Sequence, residues 1–149
     1  MQSDKRSAHV ENDPASVFVL DSFTLLAYLE NAAGATIVQE KLPAAACNNA
    51  VIYMSAVSLG EVMHIIERER GLPAAQLALV QMRQLRISVL EATLTRILAA
   101  AHIKAHHVLS YADAFVMAAA QECQAILLTG DPEFTKVTAP IQIEWTSRT

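Results

Sequence analysis

Three short apolar runs constrain this chain most. Val17-Phe18-Val19-Leu20, Val51-Ile52-Tyr53-Met54 and Ile126-Leu127-Leu128 are continuous rather than alternating, the pattern of strands covered on both faces. Such strands occur in parallel sheets flanked by helices, and the segments between them read as helices. Leu25, Leu26 and Leu29 follow Ser22 at helical spacing, and residues 31–34 break the pattern. A second helix carries Ile37, Val38 and Leu42 and is expected to stop at Pro43. Leu59, Val62, Met63 and Ile66 form a stripe that ends, after Glu67-Arg68-Glu69-Arg70, at Gly71.

Pro73 can open the next helix, with Leu77, Val80 and Leu85 as its expected apolar stripe, and Ile87 and Val89 alternate as a brief strand. Thr93 can cap a helix with Leu94, Ile97, Leu98, Ala101 and Ala105 on one side, and Ser110 another with Val116, Ala119 and Ala120. Ile141, Ile143 and Trp145 alternate as a last strand. Strands alternating with helical hairpins predict an α/β fold with a mostly parallel central sheet of about four to five strands.

Composition narrows the class. The chain has 149 residues, 53% of them hydrophobic and 17% charged, which suits one packed domain and excludes a disordered or collagenous chain. Residues 17–149 are expected to form that domain, and residues 1–16, polar and without the apolar core of a secretory signal, a disordered tail. His102, Asp113 and Glu122 interrupt the Ala-rich stretches, so no membrane span is expected. Cys47 and Cys123 lack a C-x-x-C spacing and suit free thiols in a reducing cytoplasm. A net charge of −4 argues against a protein that wraps duplex DNA.

The chemistry lies in the acids. The chain has five Asp; Asp4 and Asp13 are in the tail, Asp21 directly follows the first strand, and Asp131 lies just past the third run. Glu61 and Asp113 are expected in the first turns of helices. In an open α/β sheet all four positions can face the crevice at the carboxyl ends of the strands. Clustered carboxylates repel and call for a cation, and hard oxygen donors suit Mg²⁺ or Mn²⁺. Three of these acids alone also have a plainer explanation: Ser58 with Glu61 and Ser110 with Asp113 fit capping boxes, and Asp131 fits a turn before Pro132. Recurrence at one sheet edge favours a site. Ser22, beside Asp21, can reach a metal-bound water.

Val19-Leu20-Asp21-Ser22, Ser55 through Glu61-Val62, Ser110-Tyr111-Ala112-Asp113-Ala114 and Leu128-Thr129-Gly130-Asp131-Pro132-Glu133-Phe134 occur in an order and spacing that resembles the PIN-domain ribonucleases, most closely the toxins of VapBC-type toxin–antitoxin pairs. The resemblance implies a three-layer α/β/α PIN-like fold and a Mg²⁺- or Mn²⁺-dependent endoribonuclease. It implies an acidic site of Asp21, Glu61, Asp113 and Asp131, with Asp21 and Asp113 as direct ligands and Glu61 and Asp131 helping through water or a second ion. Thr129, beside Asp131, and His107, placed by its position at the crevice mouth to contact RNA, are secondary candidates. RNA, single-stranded or looped, would be cut by in-line attack of water to leave a 5′-phosphate and a 3′-hydroxyl. Homodimers and a cognate antitoxin that fills the acidic groove are implied as partners. Gly60 departs from a good helix former just before Glu61.

Other readings compete. A Mg²⁺-dependent phosphatase or a receiver-like domain also gathers acids at strand ends, but Asp21-Ser22-Phe23 lacks the D-x-D of an aspartyl phosphatase, and Thr129-Gly130-Asp131 stands where a receiver places Lys. A non-catalytic PIN-fold binding module is the third reading. His102 and His106 have zinc-pair spacing without the Glu of a metalloprotease and suit a solvated helix face. Arg68, Arg70, Arg83, Arg86 and Lys104 are candidate phosphate or partner contacts.

Overall fold

A computed structural model describes residues 16–146 apart from residues 33 and 139. The expected tail, save Ser16, lies outside the described residues. The elements run β1 (Ser16–Leu20), α1 (Ser22–Leu29), α2 (Ala35–Ala46), β2 (Ala50–Ser55), α3 (Ala56–Arg70), α4 (Leu72–Arg83), β3 (Ile87–Leu90), α5 (Leu94–His106), α6 (Tyr111–Glu122), β4 (Ile126–Thr129), a 3₁₀ turn (Pro132–Lys136) and β5 (Gln142–Trp145). All strand pairs are parallel, in the order β3-β2-β1-β4-β5. The central runs are the central strands, as burial on both faces requires. This order differs from the 2-1-3-4-5 order of receiver domains, so the receiver reading does not fit the topology.

Alternate side chains of the sheet enter opposite layers. Val19 and Leu127 pack under α5 and α6 against Ala100, Ile103, Phe115 and Phe134. Phe18, Leu20, Ile52 and Leu128 face Val38 and Ala45 of α2, and Met54 meets Leu25, Val62, Ile66, Ala78 and Met82 of α1, α3 and α4. Helices therefore cover both faces of the sheet. In α6 every residue from Asp113 to Ala120 is buried, and its small side chains let it pack between the sheet and α5. Gly34, at φ +94, caps the start of α2 where a Cβ would lie 3.3 Å from the Thr146 carbonyl oxygen, so the backbone favours glycine there and a side chain would press on that carbonyl.

Four local expectations need correction. Pro43 lies inside α2 rather than ending it; the carbonyl it leaves unbonded belongs to Gln39, which is exposed to water along with Pro43 itself. On α4 the buried residues are Ala75, Ala78 and Met82, while Leu77 and Val80 are 60% and 54% exposed. On α5 Ala100 and Ile103 are buried, while Leu94, Leu98 and Ala105 face outward. Small inner residues let these two helices approach their neighbours closely, and this turns the larger side chains away. Finally, Ser55 at the end of β2 caps α3 by accepting from Val57 N at 3.2 Å. That places the cap three residues before Ser58, whose buried hydroxyl has no hydrogen-bond partner. Ser58 and Glu61 thus form no capping box, and Glu61 lies in the second turn.

Gly60 is exposed within α3, and a Cβ built on it meets nothing within 4 Å. No close contact explains it, so it costs helix stability with no packing return. Gly60→Ala is expected to raise the unfolding free energy by about 0.5–1 kcal/mol. Urea denaturation checks this, and a midpoint at or below that of the unmodified chain counts against it.

Candidate active site

The parallel register assembles the acidic rim. Leu20 is level with Met54 on β2 and with Leu128 on β4, so the residues that follow them, Asp21, Ser55 and Thr129, emerge side by side at the carboxyl edge of the sheet. Asp21 is the junction of β1 and α1. It is 1% exposed and caps α1, one carboxylate oxygen accepting from Thr24 N at 2.8 Å. Its other oxygen accepts from the Thr129 hydroxyl, which in turn accepts from Asp131 N at 2.9 Å. The Thr24 hydroxyl donates to the Leu128 carbonyl at 2.9 Å. Two buried threonines thus tie the start of α1 to the end of β4, and fix the Asp21 carboxyl between them.

Asp113 arrives on α6. Ser110 caps that helix, its hydroxyl accepting from Asp113 N at 3.1 Å, and the Asp113 carboxyl lies in the first turn, near the positive end of the helix dipole. Asp131 caps the 3₁₀ turn, one oxygen accepting from Glu133 N at 2.9 Å. Carboxylate oxygens of Asp113, Asp131 and Glu133 all lie within 4.8 Å of one another. Glu133 is a member of this group that the acid pattern did not select. The signal for it is its position two residues after a turn-capping Asp, which places both carboxyls on one short turn.

Glu61 joins the rim by a different route. Its carboxylate accepts a hydrogen bond from Ser22, the residue after Asp21. Of the expected acids, then, Asp113 and Asp131 share one oxygen cluster, Asp21 adjoins it through Thr129, and Glu61 is linked to the segment of Asp21 through Ser22. His107 ends α5, and its carbonyl accepts from Leu109 N at 3.0 Å. Among the described residues no hydrogen bond ties its ring to the acids.

Electrostatics identify what the cluster lacks. Burial pushes the Asp113 carboxyl up to about 8, reinforced by its hydrogen bond with Glu133 and by the charges of Asp131 and Asp21, against a smaller opposing effect of Ser110. Asp21 is also raised, by burial first and by Asp131, although its hydrogen bonds from Thr129 and Thr24 favour the charged form. The ion pairs among the described residues are Lys41–Glu144, Arg70–Glu30 and Arg96–Glu122, and none reaches these acids. An all-carboxylate donor set, with no ion pair to a protein cation among the described residues, fits a hard divalent ion such as Mg²⁺ or Mn²⁺. Asp21 can still contribute, because each of its oxygens keeps a second lone pair.

Among the described residues no ion pair joins the remaining candidates to these acids. His106 Nδ1 lies 2.9 Å from the His102 carbonyl oxygen and both rings are exposed, as on a solvated helix face. Arg70 pairs with Glu30 at 3.7 Å, and Lys104 donates to the Leu109 carbonyl at 2.8 Å. Arg68, Arg83 and Arg86 are exposed. Cys47 and Cys123 are free thiols, and burial raises Cys123, which disfavours a thiolate nucleophile. A cavity of about 490 Å³ lies at the opposite, amino edge of the sheet, beside Gln124, Ala125 and Gln142. Among the described residues no helix is long and apolar enough to cross a membrane.

The raised Asp113 carboxyl gives a pH signature. Its folded value of about 8 exceeds its ordinary value of 3.8, so the stability it contributes is complete at acid pH and is lost as pH rises through about 8. With chelator present, the thermal midpoint of Asp113→Asn should therefore gain on that of the unmodified chain between pH 5 and 8. Added Mg²⁺ should shrink that gap, and a gap independent of pH contradicts the clustering.

Comparison with known proteins gives this geometry a context. The PIN domain family matches residues 18–140, while no protein of curated function matches the chain in sequence. The fold is similar to that of VapBC2 from Rickettsia felis, solved bound to a promoter DNA fragment (TM-score 0.70, 12% identity, covering 87% of this chain and 98% of that one). It is also similar to DNA-bound VapBC from Salmonella typhimurium (0.69, 18%, 87% and 98%). A third is Mycobacterium tuberculosis VapC20, described as a sarcin-ricin-loop-cleaving toxin (0.58, 22%, 75% and 87%). At such identities the structural likeness speaks to the fold, and the family match to descent. This chain belongs to the PIN domain family.

Proposed function

We propose that the chain is a Mg²⁺- or Mn²⁺-dependent endoribonuclease and the toxin of a toxin–antitoxin pair. The observation that carries this reading is the convergence of Asp113, Asp131 and Glu133 within 4.8 Å, with Asp21 buried beside them, at the carboxyl edge of a PIN fold. The existence of structural relatives described as a sarcin-ricin-loop-cleaving toxin and as a toxin–antitoxin complex supports the finer assignment.

Hydrolysis of a phosphodiester needs an attacking water, charge neutralisation at phosphorus and a stabilised leaving oxygen, all of which a bound divalent cation supplies. In this reading Asp113, Asp131 and Glu133 hold the cation, with Asp21 alongside. Thr24 and Thr129 keep the Asp21 carboxyl in one orientation, and Ser22 holds Glu61 by donating to its carboxylate. No side-chain nucleophile is needed. The uncompensated acids also suit an antitoxin that offers a basic side chain to the rim, which would block the cation site while bound.

Recombinant chain incubated with end-labelled RNA should cut it with Mg²⁺ or Mn²⁺, leaving 5′-phosphates, and should stop with chelator. Asp21→Asn and Asp113→Asn should each lower the rate by more than about a hundredfold with the fold retained by circular dichroism, and Thr129→Val and Ser22→Ala by about 10–100-fold. Undiminished cleavage by the Asp113 variant would refute the assignment. Tight cation binding without cleavage of any RNA would instead favour the binding-module reading.

A further inference from the structure

Aromatic side chains carry the largest apolar areas to leave in water, and this chain leaves three of them there, all at one edge. Of its four Phe, three Tyr and one Trp, Phe23, Tyr111 and Trp145 are 43%, 43% and 39% exposed, and the others are buried or half-buried. Phe23 stands two residues after Asp21 in the first turn of α1, and Tyr111 opens α6 two residues before Asp113. Trp145 ends β5 level with Thr129 of β4, whose hydroxyl holds Asp21; the two backbones are about 5 Å apart. The exposed aliphatic side chains, by contrast, are spread over α4, β3, α5 and the segment that follows α5. Scattered leucines and valines need no explanation, but an edge that collects every exposed ring does.

The rings come from both layers. On one face of the sheet Tyr28 of α1 packs with Leu20 and Leu128, whereas α6 fills the opposite layer. Phe23 and Tyr111 therefore start from opposite faces, and the edge that carries the acids lies between those faces. Ile143 packs in the α6 layer, so Trp145, two residues on, shares that side of the sheet. Tyr111 is also held in place: its ring lies 5.4 Å from that of Phe115, which is buried in the core. A ring fixed in this way loses little freedom when a flat ligand lies on it.

Charge selects the ligand. A cation among the acids can seat one phosphate, but the same acids repel the rest of a nucleic-acid backbone, and among the described residues no ion pair brings a Lys or Arg to them. Grip on a strand then has to come from its bases, and stacking on an aromatic side chain is the contact that every base can make. Bases inside an A-form duplex are closed to it. A protein partner anchors through clustered, contiguous contacts, whereas these rings stand singly on three elements.

Resting on the nuclease reading, we infer that Phe23, Tyr111 and Trp145 form a base-stacking platform that holds unpaired nucleotides on either side of the phosphate to be cut. The rings position the strand and take no part in the chemistry.

Trp145 is the one Trp of the chain, so its fluorescence reports on the platform directly. In an Asp113→Asn chain with Mg²⁺, where binding is read without cleavage, an unstructured RNA of about twelve nucleotides should quench it. Phe23→Ala and Tyr111→Ala should each weaken binding about 5–100-fold, and Phe23→Tyr and Tyr111→Phe should restore it. The same RNA in a duplex, and an abasic ribose–phosphate strand of equal length, should bind at least about tenfold more weakly. In the cleaving chain the two alanine variants should raise KM for single-stranded RNA and leave kcat within about twofold. Base-dependent binding without any cleavage would support the platform while refuting the nuclease reading. Alanine variants that bind RNA as tightly as the unmodified chain, or equal binding of abasic and base-bearing strands, would overturn the inference and leave the rings to a protein partner.

Discussion

Negative charge concentrated at the end of a buried sheet is the constraint to which the rest of this structure answers. Two carboxylates 4.8 Å apart repel by on the order of 3 kcal/mol at the effective dielectric of a protein surface, and three lie within that separation of one another. A marginally stable fold tolerates this only if the backbone holding the acids is fixed independently of them. Here strands buried on both faces do so, and the register of β1 against β2 and β4 brings their ends level. Thr24 and Thr129 then join neighbouring strand ends by hydrogen bonds that do not depend on a metal. The neutral form of Asp113 and a bound cation relieve the same repulsion, so proton and metal compete for one site.

The sheet was the most legible part of the sequence because its signal is unconditional. A run such as Val17-Phe18-Val19-Leu20 cannot be satisfied at a surface, so the central strands and their parallel pairing follow from composition within a few residues. The helix caps Thr93 and Ser110 were equally readable, since each satisfies a backbone donor at its expected place. Helix faces were less so. On α4 and α5 apolar residues occupy two sides, and periodicity alone does not say which side meets the core. The larger residues suggested the wrong one in both cases, because close approach to a neighbouring helix favours Ala75, Ala78 and Ala100 over leucine.

The site was legible to the same degree and for the same reason. Asp21 and Asp131 follow strand ends, and Asp113 follows a readable cap, so their convergence was a matter of topology. Glu61 reaches the rim in spite of a misplaced helix start: with Ser55 as the true cap it sits a turn further along α3, and Ser22 meets it there. Glu133 was hidden because a Glu after Pro132 looks like any solvated turn residue. Only the tight 3₁₀ geometry, which turns it back beside Asp131, reveals it.

Capping and metal ligation had been competing explanations for these acids, and the geometry removes the competition. Asp21 caps α1 with one oxygen and holds Thr129 with the other, so its carboxyl plane is set before any ligand arrives. Asp131 spends one oxygen on Glu133 N and keeps its second, while Ser110 caps α6 and Asp113 turns its carboxyl to Glu133. A cap fixes the rotamer of an acid at a backbone position that the fold already requires, which is the preorganisation a ligand set needs and a mobile surface carboxylate lacks. The helix starts at this edge thus supply both the orientation of the acids and, through their positive ends, part of the field that keeps them ionisable.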